Sequence, residues 1–405
     1  MVKNTFPEIR IVWLAALIQL VNALDFMMIM PLGPDLSRSL NISPTYIGYL
    51  GGGYTLAAAL SSLLCAKFID RFDRKHVTLI ALLGLSLGTW ACTLAWDMES
   101  LFFTRLLAGL FAGPATSIAL AIVVDTVPEQ HRGRAMAMVM GAFSLAAIAG
   151  VPLGLELAML KGWSAPFYIV SGLGMCVGLA VYVKLPNMTA HLRQSRQSFS
   201  FIAMLKRPTV LNAFLAIGLA IFSTFLIVPN IATFFQLNLN VARSDMSYYY
   251  VVGGIFSLLA MQFGGRLIDK LGAMRITLLM GILILAVVWD GFLHAPLLPA
   301  IVIFTLFMAV TATRTIAVAA VNSQVPQPWE RADFMSLQSV CQHVFSGLAA
   351  VVSSMLLTSV DGRLGNVSDL AWLTIALTVI QPVFLFMLLK RLRTMPQLKE
   401  GSINE

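Results

Sequence analysis

Asp25 stands in the middle of an almost wholly apolar run, LIQLVNALDFMMIMPLGP (Leu17 to Pro34). Gln19 and Asn22 precede it at three-residue steps, so on a helix the three polar side chains share about 120° of the circumference. An ionised carboxylate at such a depth costs several kcal/mol when it faces lipid, and the polar sector is therefore expected to line an aqueous cavity. Desolvation raises the proton affinity of a carboxylate and a neighbouring cation lowers it again. A group that responds in this way has the chemistry of a proton carrier. Arg105 is the expected partner, because it opens another apolar run at a matching depth. Gly109 and Gly113 follow it at four-residue steps, a small-residue face that lets helices approach closely and turns Arg105 inward. The Asp25–Arg105 pair reads either as a proton-coupling site or as a static ion pair.

Other polar residues sit at similar depth. Arg314 has two uses open to it, binding an anionic substrate group or pairing with Asp25 in one conformation, beside a purely structural pairing. His343, in SVCQHVFSG with Gln338 and Gln342 nearby, relays protons or packs as a hydrogen-bonded histidine. Asn230, beside Pro229 at an expected helix break, is a candidate substrate contact, as is Asn22. Met27, Met28 and Met30 with Phe26, Phe222, Phe225, Phe234 and Phe235 either line an adaptable apolar pocket or pack helices.

The elements that must carry these residues follow from composition. The 405 residues are 58% hydrophobic and 11% charged, against about 25% charged in a soluble domain, so the chain is an integral membrane protein. Its apolar runs are long and do not alternate, which predicts helices of about 20 residues rather than barrel strands. Twelve spans are expected: 9–31, 45–68, 76–96, 101–127, 135–160, 166–184, 210–235, 247–268, 275–294, 299–325, 334–357 and 370–389. The first is too long for a cleaved signal segment and is expected to remain as a span. The four cysteines are scattered singly and read as small packing residues, without disulfide or metal spacing. The net charge of +8 is distributed by topology. With the N-terminus inside, 21 of 27 Lys and Arg fall on one side, leaving Arg38, Lys161, Arg243 and Arg363 opposite and two arginines within spans. The positive-inside rule then puts both termini in the cytoplasm, and basicity gives no reason to expect a nucleic-acid partner.

The chain divides into a six-helix bundle over 1–184, a basic cytoplasmic linker over 185–209, and a second six-helix bundle with a short basic tail over 210–405. The halves repeat at an offset near 198 residues: Pro31 matches Pro229, AKFIDRFDRK matches GRLIDKLGAMR with Asp70 and Asp269 in register, and VPEQHRGRAM matches VPQPWERADFM. A duplicated half predicts a transporter that rocks about a central site. Ser223 takes the position of Asp25 in the second half, so the acid is not duplicated. Helix N-termini carry partial positive charge. Asp70 is accordingly expected to dock on the start of span 11 near Arg331, and Asp269 on span 5 near Arg132 or Arg134, latching the inner side. Arg71 and Arg74 add topology charge beside that latch. In span 5, GVPLG (Gly150, Pro152, Gly154) predicts a proline bend flanked by close-approach glycines.

Twelve spans, the acidic-basic turn between spans 2 and 3, the early arginine of span 4 and GVPLG together resemble the major facilitator superfamily. The stretches DFMMIMPLGPDL, DRFDRKH, VPEQHRGRAMAM and GVPLGLELAMLKGWSAPF are similar to its drug:proton antiporter branch, near sugar-efflux permeases. Departures are Ala66 and Asp73 in place of two glycines of the span 2–3 motif, Ala108 where glutamine is usual, and Val151 between Gly150 and Pro152. The resemblance implies an all-α fold of two pseudo-symmetric halves, a functional role for Arg105, gating by Asp70 and an association of GVPLG with antiport. The expected function is proton-coupled export of small amphipathic or drug-like compounds by alternating access. The rivals are a proton symporter taking up a sugar or organic acid, and a non-transporting receptor or scaffold. The expected partners are a small-molecule substrate, protons and the bilayer of a bacterial inner membrane, with the chain a monomer. No cofactor, metal site or enzymatic constellation is expected, and the P-loop motif G-x-x-x-x-G-K-[ST] is absent.

Overall fold

A computed structural model describes residues 6–69, 71–189, 201–327 and 330–394. Among these, twelve helices are long and apolar enough to cross a membrane: α1 (Ile9–Met28), α2 (Pro44–Cys65), α3 (Arg74–Cys92), α4 (Met98–Thr126), α5 (Arg134–Lys161), α6 (Ala165–Lys184), α7 (Pro208–Leu237), α8 (Arg243–Leu271), α9 (Ala273–Phe292), α10 (Ala300–Asn322), α11 (Asp333–Leu356) and α12 (Val367–Thr394). An even number of crossings puts the ends of α1 and α12 on one face, called here the terminal face; the opposite one is the distal face. Large apolar side chains such as Phe103, Leu160, Leu179 and Val183 stay exposed on the outside of the bundle, as a lipid-facing surface requires.

Local chemistry sets the helix ends. Asp97 caps α4 by accepting from Ser100 N at 2.8 Å, with Ser100 Oγ returning to Asp97 N at 3.1 Å, a reciprocal capping box. Asp73, which replaces a family glycine, caps α3 through Lys75 N and also accepts from Met188 N, both at 2.9 Å. It thereby fastens the start of the linker to the first half. The first helix stops at Met28, short of the expected 31. Pro31 and Gly33 turn the chain into a short helix, Gly33–Leu40, with Pro34 in its first turn. The break in α7 lies at the expected proline: a helix ends at Phe225, a 3-10 turn covers Val228–Asn230, and a helix resumes at Ile231. In α5 the chain forms a π-turn over Ala146–Gly150 just before Pro152. The wide turn accommodates a ring that lacks an N–H and crowds the preceding carbonyls. A small hairpin, Thr358–Val360 with Arg363–Gly365, joins α11 to α12 on the distal face, and no sequence signal announced it.

The apolar core shows how the halves meet. One cluster mixes residues of both, such as Met28, Leu36 and Leu50 with Leu226, Phe235 and Ala349. It occupies the midplane and distal side. Toward the terminal face the clusters segregate: Val12 to Leu185 belong to the first half, Met204 to Leu388 to the second. The halves are therefore joined distally and have separate cores nearer the termini. The distal seam is close-packed through glycines. A Cβ on Gly48 would collide with Ala350 O, and one on Gly52 would come within 2.8 Å of Gly347 O and 2.9 Å of Val351 Cγ2. Tyr49 N donates to Ser354 Oγ at 3.1 Å in the same seam.

Gly52→Ala should accordingly wedge α2 from α11 and raise the population open on the distal face. Spin labels on the exposed residues Ser39 and Ser244, in a chain freed of its native cysteines, would read this as a longer interlabel distance. An unchanged distance distribution would mean that glycine contact is not what holds this face shut.

Candidate functional site

Asp25 lies four residues from the end of the α1 helix, and its side chain is fully buried. Arg105 Nη1 donates to its Oδ1 at 2.9 Å, and Nη2 donates to its backbone oxygen at 3.1 Å. That oxygen is among the last four carbonyls of the helix, which have no partner within it. One guanidinium thus neutralises the carboxylate and satisfies a helix end. Thr89 Oγ1 on α3 lies 2.8 Å from Asp25 Oδ1 and equally 2.8 Å from Leu85 O, so its single proton serves one or the other. Asp25 Oδ2 and Arg105 Nε accept or donate no hydrogen bond among the described residues.

Close helix approach makes this pair reachable. A Cβ on Gly109 would strike the Tyr54 backbone, and one on Gly113 the Ala58 carbonyl. The small-residue face expected of α4 therefore packs against α2. Gly150 and Gly154 of α5 do the same against Leu24 and Met28, the residue just before Asp25 and the one three positions after it. The Arg105 guanidinium rests 4.2 Å from the Tyr54 ring centroid, a cation–π contact. Tyr54 stacks on Phe26 at 5.9 Å, and Phe26 stacks on Phe225 of the other half at 6.1 Å. A continuous column thus runs from the buried ion pair to the seam between the halves.

The polar sector of α1 departs from the sequence expectation. It does not open onto a cavity in this conformation: Gln19 and Asp25 are 0% exposed and Asn22 is 6% exposed. Asn22 Nδ2 donates to Ala112 O at 3.1 Å and to Thr116 Oγ1, while Tyr54 Oη donates to Asn22 Oδ1 at 2.9 Å. Neutralisation by Arg105 and a hydrogen-bonded amide remove the need for water. Asn22 is here a helix-to-helix tie rather than an open ligand contact. Asn230 is likewise buried, giving Nδ2 to Ser353 Oγ at 2.9 Å. Met28, Met30, Phe234 and Phe235 belong to the distal core, with Phe26, Met27, Phe222 and Phe225 packed on it, so they build a seal rather than an open pocket. His343 is half-buried, and its ring makes no hydrogen bond among the described residues.

Arg314 does not pair with Asp25. Its Nη2 donates to Ala220 O and Ser223 Oγ at 2.8 Å and to Thr224 Oγ1 at 3.1 Å, and Nη1 reaches Thr378 Oγ1 at 3.3 Å. All four acceptors are neutral.

The described residues bear on one arm of the expected terminal-face latch, that of Asp269. Asp70 lies outside the described residues. Asp269 is exposed and makes no ion pair among the described residues, Arg132 gives its Nε to Val127 O of its own helix hairpin at 2.9 Å, and Arg71, Arg134 and Arg331 are exposed. Arg74 is buried and its Nε meets Asp125 Oδ2 at 3.1 Å. From the terminal-face end of α3, its charge also ties α3 to α4 within one half. Among the described residues, an ion pair crosses the halves on the distal face, where sequence reasoning had no signal for it. Arg243, at the start of α8, meets Asp35 of the short distal helix at 2.7 Å and donates to Leu155 O of α5 at 3.1 Å.

The family description of the Major Facilitator Superfamily matches residues 15–313 and 213–403. The chain belongs to that superfamily. It is 24% identical over 283 residues to multidrug resistance protein 2 of Bacillus subtilis, covering 67% of this chain and 70% of that one. To a chloramphenicol efflux pump of Mycobacterium tuberculosis it is 22% identical over 244 residues, 60% of this chain and 59% of that protein. Its backbone superimposes on a D-xylose-proton symporter with a TM-score of 0.75 at 14% identity, covering 93% and 97% of the two chains. A bacterial homologue of the lysosomal transporter Spinster, solved inward-facing and unoccupied, gives 0.73 at 15% identity, covering 97% and 100%. Members of the superfamily are transporters and not enzymes, and the two-half architecture above is theirs.

Two outcomes follow from this geometry. Arg105→Leu leaves Asp25 buried without a counter-charge and should cost about 3–5 kcal/mol, whereas Asp25→Asn with Arg105→Gln should recover most of it; thermal unfolding in detergent compares the two. For the distal pair, Asp35→Asn or Arg243→Gln should lengthen the Ser39–Ser244 label distance, with the effect shrinking as salt screens the wild-type pair. A salt-independent distance in the wild type would count against an electrostatic latch.

Proposed function

We propose that the chain exports small amphipathic compounds across a bacterial inner membrane in exchange for protons, with Asp25 as the proton carrier and Arg105 as its alternating partner. The observation that carries this reading is the buried Asp25–Arg105 pair, joined by an aromatic column to the seam that must open. Both termini lie in the cytoplasm on this reading, because the basic residues concentrate on the terminal face. The distal face is then the outside, and the structure corresponds to a state closed to the outside with Asp25 ionised.

The cycle follows from which contacts cross the halves. Substrate enters from the terminal side, toward Arg314, Asn230 and His343, while Asp25 is held by Arg105. Rocking parts Arg243 from Asp35 and Phe26 from Phe225, which removes the distal cover over Tyr54 and Arg105. Water reaching Asp25 from outside delivers a proton to its carboxylate. The neutral acid no longer holds Arg105, the Thr89 hydroxyl turns to Leu85 O, and substrate leaves outward. Return of the halves shuts off water from outside, and Asp25 re-forms its pair with Arg105 within the first half as it gives its proton up toward the cytoplasm. Asp269 docking near Arg132 or Arg134, and Asp70 near Arg331, would close the terminal face in the opposite state, with Gly150, Pro152 and Gly154 supplying the bend. Each proton crossing inward releases about 2.3 kcal/mol for each 100 mV of potential, enough to accumulate a neutral compound outside. A single chain, acting as a monomer, contains all of these parts.

Inside-out vesicles with an imposed pH gradient test the assignment, using chloramphenicol and a panel of lipophilic drugs and sugars. The parent should show substrate-dependent proton release and gradient-driven accumulation. Asp25→Asn should lose both while keeping downhill exchange. Full gradient-driven transport by Asp25→Asn would refute the role given to Asp25, and substrate-dependent alkalinisation outside intact cells would reverse the direction.

A further inference from the structure

Among the described residues, the buried charges obey one rule with one exception. These are Asp25, Arg74, Arg105, Arg314 and Glu330. Arg105 pairs with Asp25, Arg74 with Asp125, and Glu330 with Arg207. Arg314 alone makes no ion pair among the described residues. Arg314 is 1% exposed, its Nη atoms donate among the described residues to one carbonyl and three hydroxyls, and its Nε donates to nothing among them. Hydroxyl dipoles stabilise a buried cation only in part, and the remaining desolvation penalty is large inside a membrane protein. Such a penalty persists where the charge has a use.

The internal repeat says what is missing. Ser223 occupies in α7 the place that Asp25 occupies in α1. In the first half the arginine meets a carboxylate there; in the second, Arg314 meets a serine hydroxyl at 2.8 Å. The second half thus holds a cation at the position of an absent acid. The site is built from α7, α10 and α12: the Ser223, Thr224 and Thr378 hydroxyls accept from the guanidinium, and Gln381, one turn beyond Thr378, keeps a buried Oε1 that accepts nothing among the described residues. Thr224 is half-buried and is the least buried of the residues that meet the guanidinium, next to Phe222 and Phe225 at the seam.

We infer that the Arg314 site takes the anionic group of the substrate, a carboxylate on an amphipathic body, which supplies the charge that Ser223 does not. The carboxylate displaces the Thr224 and Ser223 hydroxyls from Nη2, and the apolar body lies against the phenylalanines of α7. This rests on reading the chain as an exporter that binds between its halves, and narrows its substrates to amphipathic acids. Anion binding and proton coupling then occupy separate halves, so a bound acid does not compete with Asp25 for Arg105.

The test measures binding on the purified full chain in non-ionic detergent without any gradient, so it is independent of the coupling role of Asp25. Decanoate, salicylate and cholate are each compared with the corresponding neutral amide, at matched concentration, by the shift in melting temperature. At least one acid should raise the melting temperature clearly more than its amide in the parent and in Asp25→Asn. Ser223→Asp provides an internal counter-charge; it should raise the melting temperature without ligand and erase the preference for acid over amide. Arg314→Gln should also erase it, and Arg314→Lys should keep part of it. Equal shifts from acids and amides in the parent, or an acid preference that survives in both Ser223→Asp and Arg314→Gln, would overturn the inference. Loss of gradient-driven transport in Asp25→Asn with no acid preference would leave the exporter reading standing and this one refuted.

Discussion

A carboxylate inside a membrane-spanning bundle has to be solvated by something, and in this chain that is Arg105. Most of the first half is arranged around this constraint. Glycines at 109 and 113 bring α4 against α2, which lets the guanidinium reach both the side chain and the backbone oxygen of Asp25. Gly150 and Gly154 bring α5 against the same stretch of α1. The Tyr54 ring covers the cation, and its hydroxyl is fixed by Asn22, which is fixed in turn by α4. Removing the charge would leave these contacts without a common purpose.

The same constraint explains how a local event reaches the seam. An ion pair sealed on all sides responds to nothing, but this one is covered on one side by Tyr54, which stacks on Phe26, which in turn stacks on Phe225 of the opposite half. The Phe26–Phe225 contact and the Arg243–Asp35 pair both cross the interface that must part when the distal face opens. The two local departures from regular helix, the π-turn in α5 and the broken α7, lie beside cross-half contacts: Ile148 meets Gly254, and Thr233 meets Gly33. Irregular backbone bends at low cost where helices must change their mutual tilt.

The halves have diverged in charge while keeping their frame. In the first, acid and base neutralise one another. In the second, the acid position is a serine and the base is held by hydroxyls. Duplication preserves apolar periodicity because packing depends on it, whereas individual polar residues are free to change once a different partner is within reach.

Membrane character, the twelve spans, the duplicated halves and the Asp25–Arg105 partnership were all legible in the sequence. Each rests on local composition or on the cost of a charge at depth, which no tertiary arrangement can cancel. Span ends were legible to within about five residues, with differences at the ends of α1, α3 and α12 and the start of α8. The Arg74–Asp125 contact went unseen because its partners lie 51 residues apart, and Tyr54 and Thr89 went unnoticed because ordinary polar residues carry no mark of what they will touch. Whether Asp25 meets water or protein, which arginine remains without an acid, and which face is shut depend on how rigid bundles lean together. That lean is decided by contacts between residues hundreds of positions apart, and only the folded chain brings them within reach.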